Sequence, residues 1–297
     1  MFGVRFWGVR GSIPSPGPLT AKYGGNTSCI QIITDLDYQI MIDFGTGARA
    51  LGTHYFSNPD IKKPLQIHSF LTHTHWDHIY GFPFFGPIYA PNSIIDIYGP
   101  VSLDGNLETI VGGQLNYEHF PVNFSQLQSK ITYHELKEGS IELEGGVKVS
   151  YIYLNHPVLC LGYKIEYKGK SISTCYDHEQ YINLFANDPD NFQEGQDAAY
   201  FSNKRIVDFY KNSDLLIHDA QYTTKEYPKF TGWGHSTYGY AIDQALKAGV
   251  KHLVLTHHDP ERSDKKLDTL LEMCDKNYNS KGILRVEPAY EGLEIII

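Results

Sequence analysis

The chain has 297 residues, of which 41% are hydrophobic and 20% charged: enough apolar material for a sizeable core, and a globular rather than a disordered composition. Its net charge of −9 argues against a broad electrostatic surface for nucleic acid or anionic membrane. No apolar run approaches the ~18 residues that cross a bilayer, and the opening MFGVRFWGVRGS has no basic segment followed by a long apolar one, so no signal peptide and no membrane span are expected.

In chain order, β-rich runs fall at 4–9, 29–34, 38–44, 66–72, 147–154, 163–167, 171–175, 214–218 and 252–257. Segments 103–115 and 190–213 read as partly helical. The cleanest helix is 236–249, started by Ser236 or Thr237, ended by Gly249, and carrying an apolar stripe of Ala241, Ile242, Ala245 and Leu246. The Pro-rich stretches at 15–18 and 82–91 read as loops. No low-complexity segment divides the chain, so a single domain, 1–297, is expected. Cys29, Cys160, Cys175 and Cys274 are widely spaced, with no CxxC pair, and read as reduced thiols of a cytoplasmic protein.

Several strands run into a residue competent to bind metal: Asp43, His73, His156, Asp177, Asp219 and His257. In a layered α/β structure such strand ends converge on one edge, where sites are usually built. The densest signal is THTHWDH at 72–78. His73 and His75 are two apart, so in extended backbone they point the same way and reach one ion. Asp77 and His78 follow a turn and suit a second ion nearby. His156, Asp177 and His257 are the best further donors, and a carboxylate such as Asp177 can bridge two ions. This nitrogen and oxygen set suits zinc, and also iron or manganese. His54, His68, His119, His134, His178, His252 and His258 are read as surface or hydrogen-bonded histidines. Arg10 is read as a surface arginine, with phosphate contact as the alternative.

THTHWDH resembles the HxHxDH signature of the metallo-β-lactamase superfamily, and the later motifs follow in order: His156 in LNHP, Asp177 in STCYD and His257 in LVLTHHDP. The resemblance spans nearly the whole chain from MIDFGTG onward. It implies a four-layer αβ/βα sandwich of the metallo-β-lactamase type with two divalent metal ions at one edge. His73, His75 and His156 would hold one ion, Asp77, His78 and His257 the other, and Asp177 would bridge. Asp43 would steady the histidine loop by hydrogen bonds rather than bind metal. Within the superfamily the chain looks most like the phosphodiesterase branch, which includes ribonuclease Z and the cyclic-phosphate and cyclic-nucleotide phosphodiesterases. IYGFPFFGP, IHDAQYT and GHSTYGYAIDQALKAGVKHLVLTHHDP carry that likeness. Asp219 stands where the branch usually has Glu, Gln221 stands where it has Thr, and no long Gly/Pro-rich basic arm is seen.

The expectation is a dinuclear metal-dependent hydrolase acting on a small or cyclic phosphodiester, with a metal-bridging hydroxide as nucleophile. Asp77, His235 and Asp219 are the expected catalytic residues. His235 would protonate the leaving group, oriented by Asp219, and a phosphate would meet free N–H groups at the start of the helix that follows. The small phosphodiester is the expected partner, with extended nucleic acid disfavoured by the acidic charge. The exposed aromatics allow a homodimer. Trp233 and Tyr176 flank site residues and suit either base stacking or core packing. Two alternatives keep an enzyme: hydrolysis of a carboxylic ester, thioester or lactone, and a ribonuclease Z-like RNA endonuclease. A non-catalytic sensor would be betrayed by lost ligands, and all seven candidate ligands are present.

Overall fold

The structure is a computed structural model that describes residues 1–102 and 105–297. Leu103 and Asp104, which open the helical segment expected at 103–115, lie outside the described residues. The strands are β1 (Phe2–Gly8), β2 (Cys29–Thr34), β3 (Gln39–Ile42), β4 (Gln66–Phe70), β5 (Ile94–Pro100), β6 (Lys130–Leu136), β7 (Gly139–Leu143), β8 (Val147–Leu154), β9 (Cys160–Tyr167), β10 (Lys170–Cys175), β11 (Leu215–Asp219), β12 (His252–Thr256), β13 (Arg285–Pro288) and β14 (Glu294–Ile296). They form two seven-stranded sheets, ordered β14-β1-β2-β3-β4-β5-β6 and β13-β12-β11-β10-β9-β8-β7. The α-helices are α1 (Ala48–Ser57), α2 (Trp76–Ile79), α3 (Leu107–Gly112), α4 (Phe192–Phe209), α5 (Tyr238–Ala248) and α6 (Asp264–Asn277).

Side-chain alternation sorts these elements into layers. On β3, Ile40 and Ile42 join the core between the sheets, while Met41 turns outward to Leu51 and Tyr55 of α1. In the other sheet Ile217 and Val254 face inward, and Leu216, Leu253 and Leu255 pack outward against Ala241, Ile242 and Ala245 of α5 and Leu267 and Leu270 of α6. Strands covered on both faces must be apolar along their whole length, as LLIHD and HLVLT are, buried at every position. The result is the expected αβ/βα sandwich.

Strand direction then places the site. β3 to β6 run parallel, as do β10 to β13. β8 is antiparallel to β9, and β9 to β10, so β8 points the same way as β10. The C-terminal ends of β3, β4, β8, β10, β11 and β12 therefore deliver Asp43, His73, His156, Asp177, Asp219 and His257 to a common edge. Three of them, Asp43 (φ 63°), Asp177 (φ 43°) and His257 (φ 59°), sit in the left-handed region, which Asp and His tolerate better than most side chains. Such backbone costs about 1–3 kcal/mol per residue and persists only where surrounding contacts fix it. It turns each chain sharply off its strand and aims the side chain inward.

Some local expectations change. α5 is capped by Thr237, whose side chain accepts from Tyr240 N–H, and ends at Gly249 in the left-handed conformation. Leu246, expected in its apolar stripe, is 40% exposed, and Tyr238 and Ala248 take up that burial instead. The stretch at 82–91 winds into short 3-10 turns, Phe82–Phe84 and Gly86–Tyr89. Arg10 is fully buried rather than on the surface. Its guanidinium donates to the carbonyls of Gly24, Asp259 and Arg262 and so ties the chain after β12 to the N-terminal segment. Those backbone carbonyls replace water as acceptors, which is how a buried arginine is tolerated.

Candidate active site

Seven side chains converge at the shared edge in two groups. His73, His75, His156 and Asp177 form one; Asp77, His78, His257 and Asp177 form the other, with all donor atoms of each group within 4.8 Å of one another. Asp177 belongs to both, and its two oxygens divide the work. Oδ2 lies 3.4 Å from His73 Nε2 and 3.7 Å from His156 Nε2. Oδ1 lies 3.3 Å from His78 Nε2 and 3.2 Å from His257 Nε2. In the second group Asp77 Oδ2 adds contacts of 3.4 Å to His78 and 3.1 Å to His257.

The far nitrogens of these rings fix which atoms face inward. His78 Nδ1 donates to Asp43 Oδ2 at 2.8 Å, His156 Nδ1 to the Gly234 carbonyl at 3.0 Å, and His257 Nδ1 to Gln221 Oε1 at 2.9 Å. Each partner only accepts, so each Nδ1 carries a hydrogen and each ring turns Nε2 toward the centre, as a bare lone pair wherever a cation takes the place of a second proton. There the lone pairs meet carboxylate oxygens, which also donate nothing. His73 Nε2, His78 Nε2 and Asp177 Oδ1 are buried without a hydrogen-bond partner. Lone pairs facing one another at about 3 Å repel unless positive charge lies between them. The donor set therefore fits two divalent cations, and its nitrogen and oxygen chemistry suits zinc, manganese or iron.

The titration tendencies follow the same logic. Burial pushes His73 well below the usual imidazole range and His156 down to about 4, so both are neutral donors. Burial disfavours charge on Asp177, but His257, His78 and His73 outweigh it and hold the carboxyl well below its usual range. At His78 burial is overcome in the other direction by Asp177, Asp77 and Asp43, which pull a positive charge toward the ring. A dication satisfies that pull without a proton.

Asp43 does what the sequence suggested. Beside its bond to His78 it accepts from Thr72 N–H at 2.7 Å and from the Thr72 hydroxyl, pinning the turn that precedes His73. Ser12, in the loop after β1 with φ 66°, donates its N–H to Asp77 Oδ2 at 2.7 Å. The seven histidines read from sequence as surface or hydrogen-bonded stay outside both groups: His134 pairs with Asp96 at 2.8 Å, His252 with Glu287 at 2.8 Å, and His258 donates to the Ala289 carbonyl. Tyr176 is buried beneath His78 and serves packing; Trp233 is 60% exposed.

His235 and Asp219 are brought together, with His235 Nδ1 3.1 Å from Asp219 Oδ2. Asp219 is held by N–H donors from Gln221 (3.0 Å), Ser236 (3.0 Å) and His178 (3.4 Å), so its carboxylate cannot swing. Burial alone would lower His235, but Asp219, then Asp177 and Asp77, raise it to about 9. His235, Asp219 and His257 are also close enough to hold a cation, but the hydrogen bonds already on Asp219 suit it better to orienting His235. Most of the N–H groups expected to meet a phosphate at the start of α5 are already engaged: those of Ser236, Tyr238 and Tyr240 are taken by Asp219, the Tyr222 carbonyl and Thr237. Asp219, not the helix, holds the proton on His235.

Glu179 was not singled out from sequence. It is buried, and its carboxylate accepts from Tyr227 O–H (2.6 Å), Gly232 N–H (2.8 Å) and Gly234 N–H (2.8 Å). Gly234 in turn holds His156 and precedes His235, so one carboxylate fixes the loop serving both. Its nearest clue in the sequence is its place two residues after Asp177, in CYDHE.

No protein-family model matches the chain. Ribonuclease BN of Proteus mirabilis is 25% identical over 312 residues, covering 94% of this chain and 96% of that protein. The metallo-β-lactamase fold protein YhfI of Bacillus subtilis superposes with a TM-score of 0.66 at 18% identity, over 99% of this chain and 98% of its own. The chain has the metallo-β-lactamase fold. The short form of human tRNase Z shares this fold, with a TM-score of 0.65 at 21% identity over 99% of both chains. The curated relative is a ribonuclease by name, and the likeness to the solved structures shows the fold. No described helix is long and apolar enough to cross a membrane.

Proposed function

We propose that the protein is a dinuclear metal-dependent phosphodiesterase of the cytoplasm that hydrolyses small or cyclic phosphodiesters. The observation that carries this reading is the pair of donor groups sharing Asp177, with the His235–Asp219 pair beside them. His73, His75 and His156 with Asp177 Oδ2 would hold one ion, and Asp77, His78 and His257 with Asp177 Oδ1 the other. Two divalent cations supply neutralisation of the phosphate oxygens and acidification of the attacking water.

The protein's own residues account for the rest. Asp43, Gln221 and the Gly234 carbonyl hold three of the imidazoles in the tautomer that offers Nε2 inward, so the site is organised before substrate arrives. Ser12 N–H fixes Asp77. His235 lines the cleft, is held by Asp219 through Nδ1, and keeps its proton at neutral pH. It gives that proton to the leaving alkoxide, and Asp219 stabilises the resulting orientation. The cleft is about 370 Å³, and among the described residues that line it none is lysine or arginine. That favours a short substrate over a polynucleotide gripped along its phosphates. The free thiols Cys29, Cys160, Cys175 and Cys274, all buried, agree with a reducing compartment.

A second reading, an RNA endonuclease, is favoured by the likeness to ribonuclease BN along most of the chain. One panel separates the possibilities: bis-p-nitrophenyl phosphate and 2′,3′- and 3′,5′-cyclic nucleotides, a tRNA precursor with a 3′ extension, and a lactone with an S-acyl glutathione. The proposal expects turnover of the small diesters. Cleavage confined to the precursor would favour the nuclease, and hydrolysis confined to the acyl compounds would overturn the phosphodiesterase.

A further inference from the structure

The HxHxDH motif contains a residue that its metal chemistry does not use. Trp76 lies between His75 and Asp77, at the first position of α2, and 67% of it is exposed. An indole is the largest apolar side chain, and leaving it in water is unfavourable unless something covers it in use. Its backbone is not free to move. His78 N–H bonds to the His75 carbonyl at 3.0 Å and Tyr80 N–H to the Trp76 carbonyl at 2.8 Å, and Asp77 and His78, within that turn, are buried in the centre. The ring rests against Tyr80, with centroids 5.3 Å apart and planes tilted by 38°. It forms a wall of the cleft that also contains His75, Asp77, Asp177 and His235.

We infer that Trp76 is the specificity-determining residue of this cleft, a stacking platform for a flat ring carried by the substrate. The substrate class is then a phosphodiester bearing an aryl group or nucleobase, rather than one joining two aliphatic groups. The inference rests on the phosphodiesterase reading for the position of the phosphate. It follows from what the cleft lacks as well as what it has. With no lysine or arginine among its described lining residues, the groups beyond the reacting phosphate have no cationic grip. Stacking on an indole is the remaining strong contact, and it accepts any flat ring because every such ring has a π face. Trp233, the other strongly exposed indole, packs edge-on against Phe230 outside the cleft lining and does not compete for the role.

The test is a binding titration of the metal-loaded protein, read by tryptophan fluorescence and calorimetry, with adenosine 5′-monophosphate against ribose 5-phosphate. The two ligands share a phosphate and a sugar and differ in the ring. Wild type should bind the nucleotide more tightly and show saturable quenching with it alone. Trp76→Leu should abolish the quenching and weaken nucleotide binding by about 5- to 100-fold, the range of one base–aromatic stack, while ribose 5-phosphate binding stays the same. Trp76→Phe should restore most of the loss. Equal affinity for the two ligands, or nucleotide binding unchanged in Trp76→Leu, overturns the inference. Hydrolysis of bis-p-nitrophenyl phosphate by wild type is scored separately: its absence defeats the phosphodiesterase reading, while the titration still decides whether Trp76 stacks.

Discussion

Replacing Glu179 by alanine tests how the loop that serves both His156 and His235 is held. Three donors lose their acceptor: Tyr227 O–H, Gly232 N–H and Gly234 N–H. A hydrogen bond to a charged group contributes about 1.5–3 kcal/mol, and an orphaned buried donor costs about 1–3 kcal/mol. Tyr227 and Gly232 lie where the loop can relax to water, so the full sum is not expected. Gly234 N–H is buried and cannot, and a loss of about 3 kcal/mol of stability is the reasonable expectation. The catalytic effect has a separate origin. The Gly234 carbonyl fixes His156 at 3.0 Å, and His235 is the next residue, so a shift of about 1 Å in this loop displaces both, enough for roughly a 100-fold loss of rate. Urea denaturation gives the stability change, and kcat on bis-p-nitrophenyl phosphate with metal content gives the rest. A variant that is destabilised but turns over within about threefold of wild type would refute a positioning role, because that magnitude belongs to no lost catalytic geometry.

With the proposed role of His235 as proton donor, His235→Ala should leave metal content intact and lower turnover by about 100-fold or more, measured by elemental analysis and steady-state kinetics. Asp43→Asn replaces the carboxylate that His78 and Thr72 share, and should weaken metal binding by about 10- to 100-fold in a chelator competition. The Arg262–Glu226 pair should give a pH-dependent contribution to stability. The Arg262 hydrogen bond holds the Glu226 carboxyl down at about 2, below its unfolded value, so the contribution is full above ~4.5 and lost as pH falls toward 2. The difference in melting temperature between wild type and Glu226→Gln should therefore shrink between about pH 5 and about pH 2, and a constant difference would show that the pair does not titrate in this way.

Chemistry packed into a few consecutive residues was readable from the sequence. His73, His75, Asp77 and His78 lie within six consecutive residues, and that density points to a metal site. The strand-end rule found His156, Asp177 and His257 because parallel strands share an edge, a property of topology rather than of exact boundaries. α5 was legible because Thr237 and Gly249 mark its ends by local backbone chemistry. Contacts made across long sequence separations were not. Glu179 reaches Gly232 over 53 residues, and Arg10 reaches the Arg262 carbonyl over 252, and nothing local distinguishes either from a surface charge. β5, β6, β7, β13 and β14 were also passed over, as were α1 and α6. Edge strands such as β7 and β14 bury only part of one face, so their alternation is weak. The N–H groups at the start of α5 looked free because sequence does not reveal that Asp219 and Tyr222 fold back onto them.

Metal stoichiometry shows whether two cations lie between these lone pairs. Elemental analysis after equilibrium dialysis against zinc or manganese should give two ions per chain, falling in His73→Ala and in His257→Ala and lowest in Asp177→Ala, whose carboxylate serves both groups. A wild-type protein that is folded yet binds no metal under these conditions, or metal content indifferent to Asp177, would contradict the account.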